Sequence, residues 1–171
     1  MIKLRILLFI TLISLQGTGD KKYTLDKHGI EFTPGNNWEY EKISDDTYSF
    51  AFKCDKDIVF CKNIAIKIIK NTDRQTIDQM TQTLVDYIPK RFEQYKILSI
   101  RDENVNNRQY RVIDYKFREQ NIDLGNTTLV TQRDNEFISI YFTALNQPER
   151  SYVKERKLLF ELLKTLEVKS K

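Results

Sequence analysis

Two cysteines, Cys54 and Cys61, are the residues of this sequence best suited to chemistry, and six residues separate them. A thioredoxin-type redox motif has two intervening residues, so this spacing does not favour a catalytic dithiol. Structural zinc needs four nitrogen or sulfur ligands, and the chain offers these two cysteines and one remote histidine, His28. The interpretations left are a disulfide, which we favour, and two half-buried thiols. A disulfide here would stabilise the fold by about 2–3 kcal/mol in the chain-entropy model.

No catalytic constellation accompanies the cysteines. His28 stands in the run KHG, which is typical of an exposed turn rather than of a general base. Neither G-x-S-x-G, a Walker motif nor G-x-G-x-x-G occurs. The carboxylates Asp45, Asp46, Asp55 and Asp57 suit turns better than a hydrolase pair or a calcium loop. The sequence therefore predicts no catalytic, cofactor-binding or metal-binding residues and no enzyme, although a hydrolase that uses buried carboxylates stays open.

The first 19 residues have the layout of a secretory signal peptide. A basic start precedes an apolar run over residues 6–15, and the small residue Gly19 marks a cleavage position. The run is about half the length that spans a bilayer, so a helical anchor is the less favoured alternative. No cysteine follows the run, which argues against lipidation. We expect residues 20–171 to form one domain, without a stable membrane anchor after cleavage, in a bacterial periplasm or secreted.

Charge argues against a nucleic-acid partner. Lys and Arg number 28 against 24 Asp and Glu, and the two signs alternate along the whole chain. A nucleic-acid binder shows a clustered basic stripe instead. The one tempting run, Lys90 to Lys96, is typical of a helix with its aromatic residues inside and its bases outside.

Alternating apolar residues predict several strands in the first part of the chain. Residues 23–33 indicate a small hairpin whose apolar side chains point inward, and a strand follows from Trp38. Two further strands are predicted over residues 47–54 and 63–70, so that Cys54 ends one strand and Cys61 begins the next. Opposed residues of antiparallel strands lie close enough for a disulfide.

Helices interrupt the strand pattern twice. Thr76 and Gln79 have the spacing of a capping box, and the following apolar stripe predicts a helix that bends at Pro89, with Phe92 and Tyr95 continuing its buried side. Strands are predicted again from Ile97, with hairpin turns at residues 106–107 and 134–135. A final helix is predicted from residues 146–148 to about residue 166. Short turns between strands imply antiparallel pairing, so the fold class is α+β, a sheet with helices packed on its faces.

Three motifs in order resemble the PsbP-like superfamily, which includes photosystem subunits and a Ran-binding import factor. The first is an opening segment ending in Pro and Trp, the second precedes the first helix, and the third lies in the last helix. Their positions are Phe32, Pro34 and Trp38; Phe60, Asn63, Ile64 and Ile66; and Phe160, Leu163 and Leu166.

The resemblance implies an α/β/α sandwich over essentially all of residues 20–171 and a role in binding rather than catalysis. Some members bind metal through histidines, but with His28 alone we carry over no metal site. We therefore expect a non-enzymatic accessory or binding protein that engages a protein partner in the periplasm. An immunity protein that neutralises a delivered toxin, a small-ligand binder and a carboxylate-based hydrolase are the alternatives, since a fold alone does not fix activity.

Overall fold

A computed structural model describes residues 20–55, 58–148 and 151–169; the expected signal peptide, residues 1–19, lies outside them. The chain forms ten strands and two α-helices in these parts. The strands are β1 Tyr23–Leu25, β2 Ile30–Phe32, β3 Trp38–Ser44, β4 Thr47–Phe52, β5 Asn63–Lys70, β6 Glu93–Val105, β7 Arg108–Glu119, β8 Ile122–Arg133, β9 Glu136–Leu145 and β10 Glu167–Val168. The helices are α1 Ile77–Tyr87 and α2 Ser151–Leu163.

Seven strands form one antiparallel sheet in the order β3-β4-β5-β9-β8-β7-β6, and β1, β2 and β10 form a second, small sheet. Asn106 and Asn107 both have positive φ, which the tight β6–β7 turn requires, and Asp134 has it in the β8–β9 turn. Both predicted hairpins are confirmed. A third, at Gln120 and Asn121, was not predicted, because β8 begins several residues before its alternating pattern does.

The two faces of the large sheet carry separate cores. On one face, Met80 and Leu84 of α1 and Ile88, the residue that follows it, pack against β7, β8 and β9. On the other face, α2 and the small sheet together cover the apolar side chains of β4, β5 and β9, among them Phe50 and Phe142. The predicted α+β sandwich, with helices on both faces, is therefore confirmed.

Helix α1 begins where its capping box predicts. Thr76 Oγ1 accepts from the Gln79 amide at 3.2 Å, and Gln79 Oε1 accepts from the Thr76 amide at 2.8 Å. The helix gives way at Tyr87 to a 3₁₀ turn, Ile88–Lys90, as expected near a proline. Strand β6 begins at Glu93, earlier than predicted, so Tyr95 joins the α1-side core from a strand and not from a helix.

Helix α2 ends at Leu163, earlier than the sequence pattern predicts. The side chain of Asn106, at the tip of the β6–β7 hairpin, donates to the carbonyls of Leu163 and Lys164 at 3.2 and 2.8 Å. These are carbonyls that a helix leaves unpaired at its end. The chain then turns so that β10 pairs with β2, which places Leu166 in the core as a turn residue.

The prediction that His28 is an exposed turn residue is wrong, since its side chain is buried. The 3₁₀ turn that carries it packs onto the β3–β4 turn, where His28 Nε2 lies 3.1 Å from both the Asp45 carbonyl and Asp46 Oδ1. Its own carbonyl accepts from Arg133 Nη1 at 2.5 Å. His28 therefore joins the small sheet to the large one.

Glu31 makes the stability of the small sheet depend on pH. Lys169 and Lys22 each place an ammonium nitrogen 2.6 Å from its carboxylate, and their hydrogen bonds, Lys169 foremost, lower the pKa of Glu31 to about 2. Because the folded-state pKa lies below the unfolded value of 4.5, this stabilisation is complete above that value and is lost as pH falls toward 2. We expect Glu31→Gln to lower the melting temperature at neutral pH.

The stability gap between wild type and Glu31→Gln should close as the pH of thermal melts falls from about 5 to about 2. The exposed Glu119 offers a matched control, and Glu119→Gln should follow the wild-type profile. A gap for Glu31→Gln that stays constant over this range would contradict the assignment.

Candidate functional site

A cleft of about 370 Å³ lies between the Cys54–Cys61 loop and the start of α2; we call it the Cys-loop cleft. Its apolar walls include Phe52, Ile58, Phe60 and Leu145, which come from β4, the loop and the end of β9. Lys62 and Glu155 supply charge at the side of α2. The volume is within the range of ligand and anchor-residue pockets.

The two cysteines form the predicted disulfide, with Cα atoms 5.9 Å apart. Both lie just outside the strands, since β4 ends at Phe52 and β5 begins at Asn63. The Phe52 amide donates to the Lys62 carbonyl at 2.9 Å, which continues the β4–β5 ladder to the base of the loop. The disulfide thus closes the loop just beyond this last hydrogen bond of the β4–β5 ladder.

The closed loop holds two aliphatic side chains toward solvent. Ile58 is 46% exposed and Val59 is 75% exposed. The Ile58 amide donates to the Asp55 carbonyl at 3.1 Å, which holds Ile58 close to the start of the loop. Phe60, next along the chain, instead packs against the α1-side core. The loop therefore has an apolar tip beside an apolar cleft.

An ion pair connects the base of the loop to α2. Lys62 Nζ lies 2.8 Å from Glu155 Oε2 and 4.3 Å from the centre of the Phe52 ring. Lys62 is mostly buried and Glu155 about one-third exposed, so the charges of the cleft largely satisfy each other. A guest would thus meet apolar walls and this compensated pair, with Lys53 and Asp55 as the other charged residues of the lining.

The arrangement suits binding better than bond-making. Ser151, the one hydroxyl among the lining residues, is occupied in donating to the Leu145 carbonyl at 3.2 Å. No histidine lines the cleft. Over residues 20–55, 58–148 and 151–169, no three His, Cys, Asp or Glu side chains are grouped closely enough to hold a metal ion. None of the helices in these ranges has the length and hydropathy to cross a bilayer.

A second polar site lies between α2 and the edge of the large sheet; we call Ser99, Arg101, Asp114, Thr127 and Arg156 the Asp114 cluster. Asp114 Oδ1 accepts from Thr127 Oγ1 at 2.5 Å. Asp114 Oδ2 accepts from Ser99 Oγ at 3.0 Å, from Arg156 Nη1 at 2.5 Å and from Arg101 Nη1. Asp114 is 1% exposed, so four donors enclose its carboxylate.

This enclosure argues against a hydrolase that uses buried carboxylates. Asp114 is the one acid among the buried polar residues of the described chain, and its oxygens are already taken by cations and hydroxyls. It lines none of the four best-formed cavities among the described residues. Tyr152, which donates to Thr127 at 2.7 Å, has its pKa raised well above the usual value by burial. The cluster therefore holds α2 on the sheet.

The residues of the three sequence motifs are distributed between core and cleft. Phe60 alone lines the Cys-loop cleft, and Asn63 begins β5 beside it. The other motif residues belong to the core on the α2 face or pack against it, except Pro34, which is buried in the loop before β3. The core members are Phe32, Trp38, Ile64, Ile66, Phe160, Leu163 and Leu166.

The carboxylates considered for catalysis are separated in the structure. Asp55 lines the cleft, while Asp45 and Asp46 lie in the β3–β4 turn and pair with Lys27 and Lys42. Asp57 lies outside the described residues. In the basic run from Lys90 to Lys96, the ring of Phe92 packs on the ring of Phe117 with centroids 4.1 Å apart, so this aromatic residue has a structural role.

Sequence reasoning missed the charged residues of both sites. Asp114 carried a usable signal, because it follows Tyr110 and Val112 at two-residue steps and so lies on a buried strand face. A carboxylate in that position needs partners. Its partner Arg156 lies 42 residues away along the chain, and its partner Arg101 comes from a separate strand. Lys62 and Glu155 are 93 residues apart. No local sequence pattern identifies such pairs.

Comparison with proteins of known structure identifies the fold. No family model and no curated protein sequence matches the chain. Among solved structures, the cyanobacterial PsbP protein CyanoP of Synechocystis sp. PCC 6803 is similar, with a TM-score of 0.63 and 15% identity over 87% of this chain and 92% of that one. The Ran-binding protein Mog1p of Saccharomyces cerevisiae has a TM-score of 0.61 and 8% identity over 90% and 97%.

The protein LpqN of Mycobacterium tuberculosis, involved in cell envelope biogenesis, is also similar, with a TM-score of 0.53 and 8% identity over 90% of this chain and 87% of that one. These identities are too low to carry function, but the matches extend over nearly all of each protein. Together with two helices on opposite faces of an antiparallel sheet, they show that the chain has the PsbP-like fold.

Proposed function

We propose that this protein is an exported, non-enzymatic accessory protein that binds a protein partner through the Cys-loop cleft and the loop tip above it. Residues 20–171 act as one domain in the periplasm, or secreted, after removal of the signal peptide, residues 1–19. The observation that carries the proposal is the pair of exposed aliphatic residues, Ile58 and Val59, on a disulfide-closed loop beside an apolar cleft.

The closed loop is suited to docking because its shape is already restricted. Ordering a loop on binding costs conformational entropy, and a loop that is already cross-linked loses less of it. Each aliphatic side chain that a partner covers contributes through removal of apolar area from water, at about 25 cal/mol per Å². Ile58 and Val59 can thus act as central contacts, with the cleft receiving a side chain of the partner.

A protein fits this surface better than a small molecule does. The apolar area includes a convex tip, where Val59 is the most exposed of the large apolar residues that the structure describes, as well as a concavity. A small ligand would fill the cleft and leave the tip in water. The cleft is lined by two cations, Lys53 and Lys62, and two anions, Asp55 and Glu155, so it carries no net charge, which favours an apolar contact. One of the similar structures is itself named a Ran-binding protein.

We expect Ile58→Asp/Val59→Asp to weaken partner binding at least tenfold without changing stability, since the loop tip buries neither side chain fully. The test is affinity capture of tagged mature protein from its own envelope fraction, followed by measurement of the dissociation constant of any stoichiometric partner. Ile43→Asp is the matched control, because Ile43 is 56% exposed on β3, away from the loop.

Each result of this experiment bears on the proposal. Loss of binding in the double variant with retention in Ile43→Asp would support both the function and the surface. Equal binding by all three proteins would overturn the surface, and capture of no specific partner would overturn the function. Native mass spectrometry of the same eluate checks the small-ligand alternative, in which a bound molecule appears in place of a protein.

A further inference from the structure

Beyond partner binding, the geometry points to an oxyanion site at the Asp114 cluster, in which Arg101 and Arg156 together bind a carboxylate or phosphate group. The two Nη1 atoms of these arginines converge on the same oxygen, Asp114 Oδ2. One buried carboxylate thus fixes the position of two guanidinium groups. The site is separate from the Cys-loop cleft and does not depend on the function proposed for it.

The two arginines keep donors that the cluster does not use. Arg156 uses only Nη1 in its contact with Asp114, and within the described part of the chain its Nε and Nη2 have no partner. Arg101 uses Nε on Glu103 and Nη1 on Ser99 and Asp114, which leaves Nη2 without a partner there. Both side chains are about one-third exposed. Guanidinium groups present such donors as a planar fork that matches carboxylate and phosphate oxygens.

The remaining contacts of the cluster orient both guanidinium groups. Ser99 Oγ accepts from Arg101 Nη1 at 2.8 Å and donates to Asp114, so Arg101 is held from two sides. Arg156 is held by Asp114 and by its place on α2, one helical turn after the buried Tyr152. Donors whose side chains are already ordered lose little entropy when an anion arrives, which is what distinguishes a receptor from scattered surface bases.

The sharing of one carboxylate oxygen by two arginines favours an added anion. Arg101 also pairs with Glu103, its Nε lying 2.9 Å from Glu103 Oε1, whereas Asp114 is the one carboxylate that contacts Arg156 in the described part of the chain. Asp114 neutralises at most one of the two arginines that share its oxygen. An oxyanion at the solvent side would reduce the repulsion between the two guanidinium groups.

The experiment titrates the mature protein with inorganic phosphate and, separately, with succinate, at constant ionic strength set by chloride. Binding is followed through the side-chain N–H signals of arginine in ¹⁵N NMR spectra. We expect saturable shifts of the Arg101 and Arg156 signals, and a tighter response to phosphate or to succinate identifies which of the two groups the natural ligand carries. Arg156→Gln should weaken binding at least tenfold.

Two further variants keep the test independent of folding. Glu103→Gln removes a competing carboxylate without touching Asp114, and it should tighten anion binding about threefold, which a purely structural cluster would not show. Lys164→Gln removes a cation at the other end of α2 and should leave binding unchanged. Non-saturating shifts, or equal effects of Arg156→Gln and Lys164→Gln, would mean an adventitious ion only and would overturn the proposal.

Discussion

Gly125→Ala should lower the free energy of unfolding by about 3 kcal/mol, a large effect for one methyl group. The added Cβ would lie 2.3 Å from Cγ of Tyr152, with two more ring atoms within 2.7 Å, so the ring or the strand must move. Neither moves easily. Tyr152 is buried and its hydroxyl donates to Thr127 at 2.7 Å, while Gly125 lies inside β8 between two paired strands.

The cause can be separated from ordinary strand effects by a double-mutant cycle. Tyr152→Ala removes the ring that Cβ would strike, so Gly125→Ala should cost less than 1 kcal/mol in that background. Urea unfolding of the four proteins measures the coupling. Additive costs would show that the contact with Tyr152 is not the reason. Because Ser151 and Glu155 flank Tyr152 on α2, displacement of the helix should also disturb the Cys-loop cleft.

Much of the fold was predictable because its signals are local. The alternation in β4, β5 and β7, the capping box at Thr76 and the positive-φ turn at Asn106 each depend on a few neighbouring residues. The disulfide was predictable for a similar reason, since Cys54 and Cys61 flank a short connection between adjacent strands. These features need no knowledge of how distant segments meet.

The features that were missed depend on contacts between distant segments. Strand β10 is two residues long and exists because β2 offers it an edge, and α2 ends early because Asn106 reaches it from a different hairpin. His28 has the local sequence of an exposed turn, and only the packing of that turn against Asp45 and Asp46 buries it. Local propensity cannot report such tertiary contacts.

The same distinction between local signals and distant contacts separates the predictable parts of the candidate sites from the rest. The loop that presents Ile58 and Val59 was located by its cysteines, but whether an aliphatic residue in a loop points inward or outward depends on the fold around it. Phe60 points into the core from the same loop. The convergence of Arg101 and Arg156 on Asp114 joins two strands and a helix, and only their packing reveals it.

Asp114→Ala should destabilise the protein by about 2–3 kcal/mol. Breaking a fully buried ion pair costs about 3–5 kcal/mol, and we take a lower value because solvent reaches about a third of each arginine and screens the charge left behind. Urea unfolding measures the change. Asp114→Asn keeps the shape and accepts from Thr127, so it should lose less, and a cost below 0.5 kcal/mol for Asp114→Ala would contradict the role of the cluster.

The same variant links stability to the proposed oxyanion site. Without Asp114, the guanidinium groups of Arg101 and Arg156 lose the carboxylate between them, and only Glu103 remains beside Arg101. Phosphate that occupies the site should therefore restore part of the lost stability by binding the folded state alone. Phosphate also stabilises folded proteins generally, by exclusion from their surfaces. Leu84→Ala is the matched control, since it opens a cavity in the α1-side core, on the opposite face of the sheet from the cluster, at a cost of about 2–5 kcal/mol. A larger gain for Asp114→Ala than for Leu84→Ala identifies specific binding, because general exclusion would raise both equally.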